Sequence, residues 1–116
     1  MGLALIQPDV PSEVRATDKV RQAHLDARIA SLRELRVVVE TCGSSDEREP
    51  FTMAFRQARL VLEIDDSQLA RDLKTARPTI GRWARGDSAP HPLGRGPVYA
   101  YLLRQIDERL RRYAAR

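Results

Sequence analysis

Residues 65–90 read DDSQLARDLKTARPTIGRWARGDSAP, and the reading of this stretch decides the fold. It falls into two short helical patterns. The first, DDSQLARDLK (65–74), points Leu69, Ala70 and Leu73 to one side. Asp65 is its natural N-cap, because a carboxylate there can accept an orphan backbone N–H. Lys74 to Ala76 separate it from the second pattern, about Arg77 to Arg85, in which Ile80 and Trp83 form an i, i+3 apolar pair. Gly86 is the stop signal, since glycine enters the left-handed conformation that ends helices without steric cost. Pro78 falls in the first turn, where its missing N–H has no intrahelical partner to lose.

Working outward, FTMAFRQARLVLE (51–63) sets Phe51, Phe55, Ala58 and Leu62 on one helical face. After the stretch comes the loop DSAPHPLGRG (87–96), and Pro97 is placed to open a last helix that runs to about Ala114. On that helix Tyr99, Leu102, Leu103, Ile106, Leu110 and Tyr113 share a broad stripe. Toward the N-terminus, 42–50 (CGSSDEREP) reads as a linker by composition. Residues 17–41 read as one long amphipathic helix, capped by Asp18, with Leu25, Ile29, Leu32, Leu35 and Val39 on its apolar face. Residues 1–16, with Pro8 and Pro11 and no sustained period, read as a flexible arm. No segment alternates as a strand does, so the expected class is all-α: a helical unit over 51–116, preceded by the long helix.

Composition sets outer bounds. A chain of 116 residues buries one modest core. Hydrophobic residues at 42% and charged residues at 31% are ordinary for a soluble chain, and the use of a single cysteine fits a reducing cytoplasm, so a cytoplasmic protein without a membrane partner is expected. No apolar run approaches the roughly 20 residues needed to cross a bilayer, and the opening MGLALIQPDV lacks the positive start of a signal peptide. Cys42 is the sole cysteine, so an intrachain disulfide is excluded, and no base stands near it in sequence to make it a nucleophile. His24 and His91 stand far apart without ligand spacing, so neither a metal nor any other cofactor is expected. Paired carboxylates, a nucleophile with its base and a phosphate loop are all missing from the sequence, so an enzyme is not expected.

The net charge of +4 is unevenly spread. Residues 1–50 carry −2 and residues 51–76 are neutral, whereas 77–116 hold nine arginines against three acids. Positive charge gathered in one part of a chain suits a polyanion, because neutralised phosphates release their counterions.

Two short helices across a three-residue turn form the outline of a helix-turn-helix. The motif needs a small residue where the helices cross, supplied by Ala70, and apolar locks, supplied by Leu69, Leu73, Ile80 and Trp83. It also needs a polar N-terminal end on the second helix, because that end enters the major groove. With these residues in register, 51–106 resembles the Cro/phage-repressor (XRE-type) family and its lambda-repressor-like fold. Leu69-Ala70, Leu73, Thr79-Ile80, Trp83, Gly86 and Pro90 match the family pattern without a gap, and FRQAR (55–59) is similar to its first helix. The sequence departs from the family at three places. Lys74 replaces the turn glycine, Asp66 stands where a phosphate-touching polar residue is usual, and Ala76 and Pro78 replace small polar residues.

The resemblance implies a transcriptional regulator of a bacterium, phage or mobile element, most simply a repressor that binds double-stranded DNA as a homodimer. Its recognition helix would then be about Arg77–Arg85. Arg77, Pro78, Thr79 and Arg82 are the candidate base contacts, with arginine suited to guanine and Pro78 limited to an apolar contact. Ser67, Gln68, Arg71, Arg85, Ser88 and Arg95 are the candidate phosphate contacts. Candidate dimer seams are Leu25, Ile29, Leu32, Leu35 and Val39 on the long helix, and Leu103, Ile106, Leu110 and Tyr113 on the last one. A second reading keeps the fold and uses the N-terminal segment to hold a protein partner, as an adaptor or antitoxin would.

Overall fold

Among residues 12–115, which the computed structural model describes, every regular element is a helix: α1 (Ser12–Gly43), α2 (Arg48–Leu62), α3 (Asp66–Asp72), α4 (Arg77–Arg85) and α5 (Pro92–Ala114). The all-α expectation holds. These residues divide into two units, one reaching to Ala30 and the other beginning at Ser31, so the division falls inside α1 rather than at a linker.

The first unit is the N-terminal part of α1. Residues 12–16, expected in the arm, are helical, while 1–11 lie outside the described residues. Side-chain pairs three and four apart, Arg21 with Asp18 and Gln22 with Asp26, occupy its surface. Leu25 and Ile29 are half-buried and Val20 is exposed.

The second unit is built on aromatic residues of α2. The Phe51 and Phe55 rings stack 5.5 Å apart. Trp83 of α4 meets both edge-on, at 5.9 and 5.6 Å. Tyr99 of α5 meets Phe51 edge-on at 5.8 Å. Such edge-to-face pairs contribute about 0.5–1.5 kcal/mol each beyond their buried area. Around them α2 packs on α4 and α5, and α3 packs on α4. Ala58, Leu62, Leu69, Ile80, Leu102 and Ile106 complete the same core.

The expected 42–50 linker shrinks to Ser44–Glu47. The stripe Leu32, Leu35, Val39 continues one step further, to Cys42, which is buried in the core. Burial pushes the Cys42 thiol pKa up, away from reactivity. Gly43 then faces the Tyr99 ring, where an added Cβ would lie 3.4 Å away. At the other end, Arg48 to Pro50 already belong to α2. Arg36, next to Leu35, donates from Nε to Asp107 of α5 at 2.9 Å and pairs with Glu40 at 2.7 Å; these bonds hold its guanidinium pKa above its ordinary value.

Two further expectations change. Leu32, Leu35, Val39 and Ile106 are at most 1% exposed, so they form this chain's core and are not free to be a dimer seam. Leu103, Leu110 and Tyr113 are partly buried against that core. The last helix starts at Pro92, five residues before Pro97. His91 caps it, its Nδ1 accepting the Leu93 N–H at 3.2 Å. Pro97 is exposed inside the helix, where it forfeits one backbone bond, while Val98, Tyr99, Tyr101 and Leu102 beyond it are buried.

Candidate functional site

α3 and α4 are closed by the same device. At the end of α3 the Thr75 N–H returns to the Ala70 carbonyl (2.9 Å) and the Lys74 N–H to that of Arg71 (3.3 Å). At the end of α4 the Asp87 N–H returns to Arg82 (3.0 Å) and the Gly86 N–H to Trp83 (3.2 Å). This paired closure needs one residue in the left-handed conformation. Gly86 adopts it at φ 82°, and Lys74 at φ 55°. Lys74 therefore holds a backbone shape that glycine adopts freely, at a cost of roughly 1 kcal/mol.

The two helices start differently. Asp65 caps α3 as expected, its side chain accepting the Gln68 N–H at 2.8 Å. Ala76 at the head of α4 has the extended backbone of a cap but offers no side-chain acceptor. The Thr79 and Ile80 N–H groups both return to the Ala76 carbonyl (3.0 and 3.4 Å) and Pro78 has none, so the Arg77 N–H is the one donor of that first turn left over; Arg77 and Pro78 are both exposed.

Arg77, Pro78, Gly81, Arg82 and Arg85 line one cleft of about 400 Å³ with Asp66. Asp66 is not an unpaired acid beside them: Arg59 of α2 donates to it from Nε at 3.1 Å, and both are part-buried. The Arg82 NH2 group donates to Thr79 Oγ1 at 3.1 Å. Arg85 donates from Nε to Asp87 at 2.9 Å. The Arg77 side chain makes no hydrogen bond or ion pair among the described residues.

The other predicted residues lie elsewhere. Ser67 and Gln68 are half-buried in the first turn of α3, and Arg71 is exposed, donating to Gln68 at 2.7 Å. Gln68 in turn donates to Asp72, whose other carboxylate oxygen accepts the Tyr101 hydroxyl at 2.6 Å. These bonds, from Gln68 first and Tyr101 second, hold the Asp72 carboxyl below its ordinary pKa. Ser88 is half-buried just after α4. Arg95 departs from its expected surface role. It is 9% exposed, and its guanidinium supplies the carbonyls of Pro90 (2.9 Å) and Asp46. Leu69, Ala70, Ile80 and Trp83 are buried and Leu73 is half-buried, while Gly86 lies against Thr52.

Sequence reasoning missed Arg48 and Arg56. Arg56 donates from Nε to the Ala84 carbonyl (2.9 Å) and Arg48 from NH2 to that of Gly86 (2.7 Å). Both satisfy carbonyls at the negative end of α4. Partners 28 and 38 residues away leave no local spacing to detect. They also line a second groove with Thr52, Met53, Leu60 and Gly86.

Among the described residues there is no group of three or more His, Cys, Asp or Glu able to hold a metal, and no helix long and apolar enough to cross a membrane. No family model, curated protein or solved structure matches the chain.

Proposed function

We propose that the chain is a sequence-specific double-stranded DNA-binding regulator, with α3 and α4 as a helix-turn-helix and α4 as its recognition helix. The observation that carries this reading is the cleft along the outward face of α4, lined by three arginines, Arg77, Arg82 and Arg85, and by one acid that is already paired with Arg59. The positive end of the helix dipole and the arginine charges favour an anionic partner, and exposed arginines on the same face suit guanine edges in a major groove. Ile80 and Trp83 seat the opposite face of α4 in the core, so the outward face is held rather than floating. Arg77 and Arg82 are the leading base contacts, Pro78 and Thr79 their neighbours, and Arg71 with the α3 head supplies phosphate contacts. Repression follows by occlusion of a promoter and needs no cofactor.

A symmetric dimer fits this role. Its seam must avoid Leu32, Leu35, Val39 and Ile106 and use surface beyond the core. The adaptor or antitoxin reading has no specific observation in its favour.

The test is a gel-shift titration on the chain's own upstream DNA and on random DNA, at two salt concentrations, with wild type and the Arg77→Ala/Arg82→Ala variant. Loss of the sequence-specific complex alone is expected from the variant. A wild type that binds no DNA at low salt overturns the proposal.

A further inference from the structure

The third arginine of the cleft is held differently from the other two. Arg85 stands four residues from Gly81 and seven from Pro78, so the three share a face of α4. A Cβ added to Gly81 would lie 3.3 Å from Arg85 NH1. The guanidinium thus folds back over the open side of Gly81, toward the head of the helix, so close that a Cβ there would push it aside by a few tenths of an ångström. Its Nε is occupied by Asp87 at 2.9 Å. Asp87 is itself fixed, since its backbone N–H closes the end of α4 on the Arg82 carbonyl.

We propose that Arg85 reads a guanine in the DNA half-site, with Asp87 and Gly81 as its positioning residues; this rests on the DNA-binding function proposed above. With Nε committed to Asp87, the two terminal amines remain side by side as donors. That pair matches the O6 and N7 acceptors of guanine in the major groove. A phosphate clamp fits the same geometry poorly, because the Asp87 carboxylate repels the phosphate that Arg85 would hold. Nor does the pair serve stability: its side chains are 64% and 57% exposed, and such pairs contribute little.

The full chain is tested by selection from a random duplex pool, followed by titrations of the selected site and its single-base variants at several salt concentrations. A wild type that enriches no motif overturns the DNA-binding function itself, and a motif without guanine overturns the role of Arg85 alone. With a guanine-containing motif, Arg85→Ala is expected to erase the preference at one guanine by tenfold or more. Asp87→Ala is expected to relax the same position, Asp87→Glu to restore it in part, and Gly81→Ala to relax it while circular dichroism shows an intact fold. The proposal is overturned if Arg85→Ala weakens every sequence equally and lowers the salt slope by about one, the mark of a lost phosphate contact. It is equally overturned if Asp87→Ala tightens all sequences alike without changing base preference.

Discussion

Replacing Tyr99 and Tyr101 separately with phenylalanine deletes the same atom from two nearby positions of α5, and the two changes are expected to move stability in opposite directions. Both residues are buried, at 7% and 5% exposure. The Tyr101 hydroxyl donates to the Asp72 carboxylate at 2.6 Å, joining α5 to the end of α3. The Tyr99 hydroxyl is buried without a hydrogen-bond partner among the described residues. A hydrogen bond to a charged group contributes about 1.5–3 kcal/mol net, and a buried unsatisfied group costs about 1–3 kcal/mol. Asp72 is an exposed residue and can regain water, so Tyr101→Phe belongs near the low end, a loss of about 1.5 kcal/mol. Tyr99→Phe keeps the ring against Phe51 and Gly43 and is expected to gain about 1 kcal/mol.

Urea denaturation of both variants beside wild type measures the difference. Its pH dependence supplies a second check. Asp72 titrates below its unfolded value, so its hydrogen bonds stabilise fully above about pH 4 and fade as pH falls through the folded value. Tyr101 is raised above the ordinary tyrosine range, by burial first and by Asp72 second, so its share fades instead as pH rises past about 10. The gap between wild type and Tyr101→Phe should therefore be widest near neutrality. A loss of more than about 0.5 kcal/mol from Tyr99→Phe, or a Tyr101→Phe gap that does not narrow even in acid that protonates Asp72 in the folded protein, refutes the reasoning.

Lys74→Gly relieves a left-handed lysine but frees the unfolded chain, a balance expected to raise stability by up to about 1 kcal/mol in urea titration. Ala76→Ser places an acceptor at an extended cap that lacks one and should raise the thermal midpoint by the equivalent of about 1 kcal/mol. Trp83→Ala removes the residue that joins α4 to both phenylalanines and should cost about 3–5 kcal/mol, read by calorimetry.

The parts of the fold that were legible are those whose signals are local. Asp65 and Gly86 mark one start and one end by chemistry acting within a turn, and α4 falls between Arg77 and Arg85 as expected. The start of α5 was misplaced because Pro92 and Pro97 are both acceptable openers, and burial beyond Pro97 settles the matter only in three dimensions. The linker was overdrawn because GSSDEREP is polar, although Cys42 just before it carries the apolar stripe into the core. Within the site, the gathering of Arg77, Pro78 and Arg82 follows from helix spacing. The pairing of Asp66 with Arg59, and the burial of Arg95 on carbonyls from Asp46 and Pro90, depend on how separate segments pack.

Arg48 and Arg56 grip the rear of α4 from α2. On the proposed function, the tilt and depth at which the reading helix meets DNA are then set by side chains that never approach a base. A search for binding-defective variants would recover both positions alongside Arg77 and Arg82. Their signature would differ: every sequence would be bound less well, with the ranking among sequences blurred rather than altered at one position. Mapping such variants as if each marked a DNA contact would draw the footprint wider than it is, around the far end of the helix.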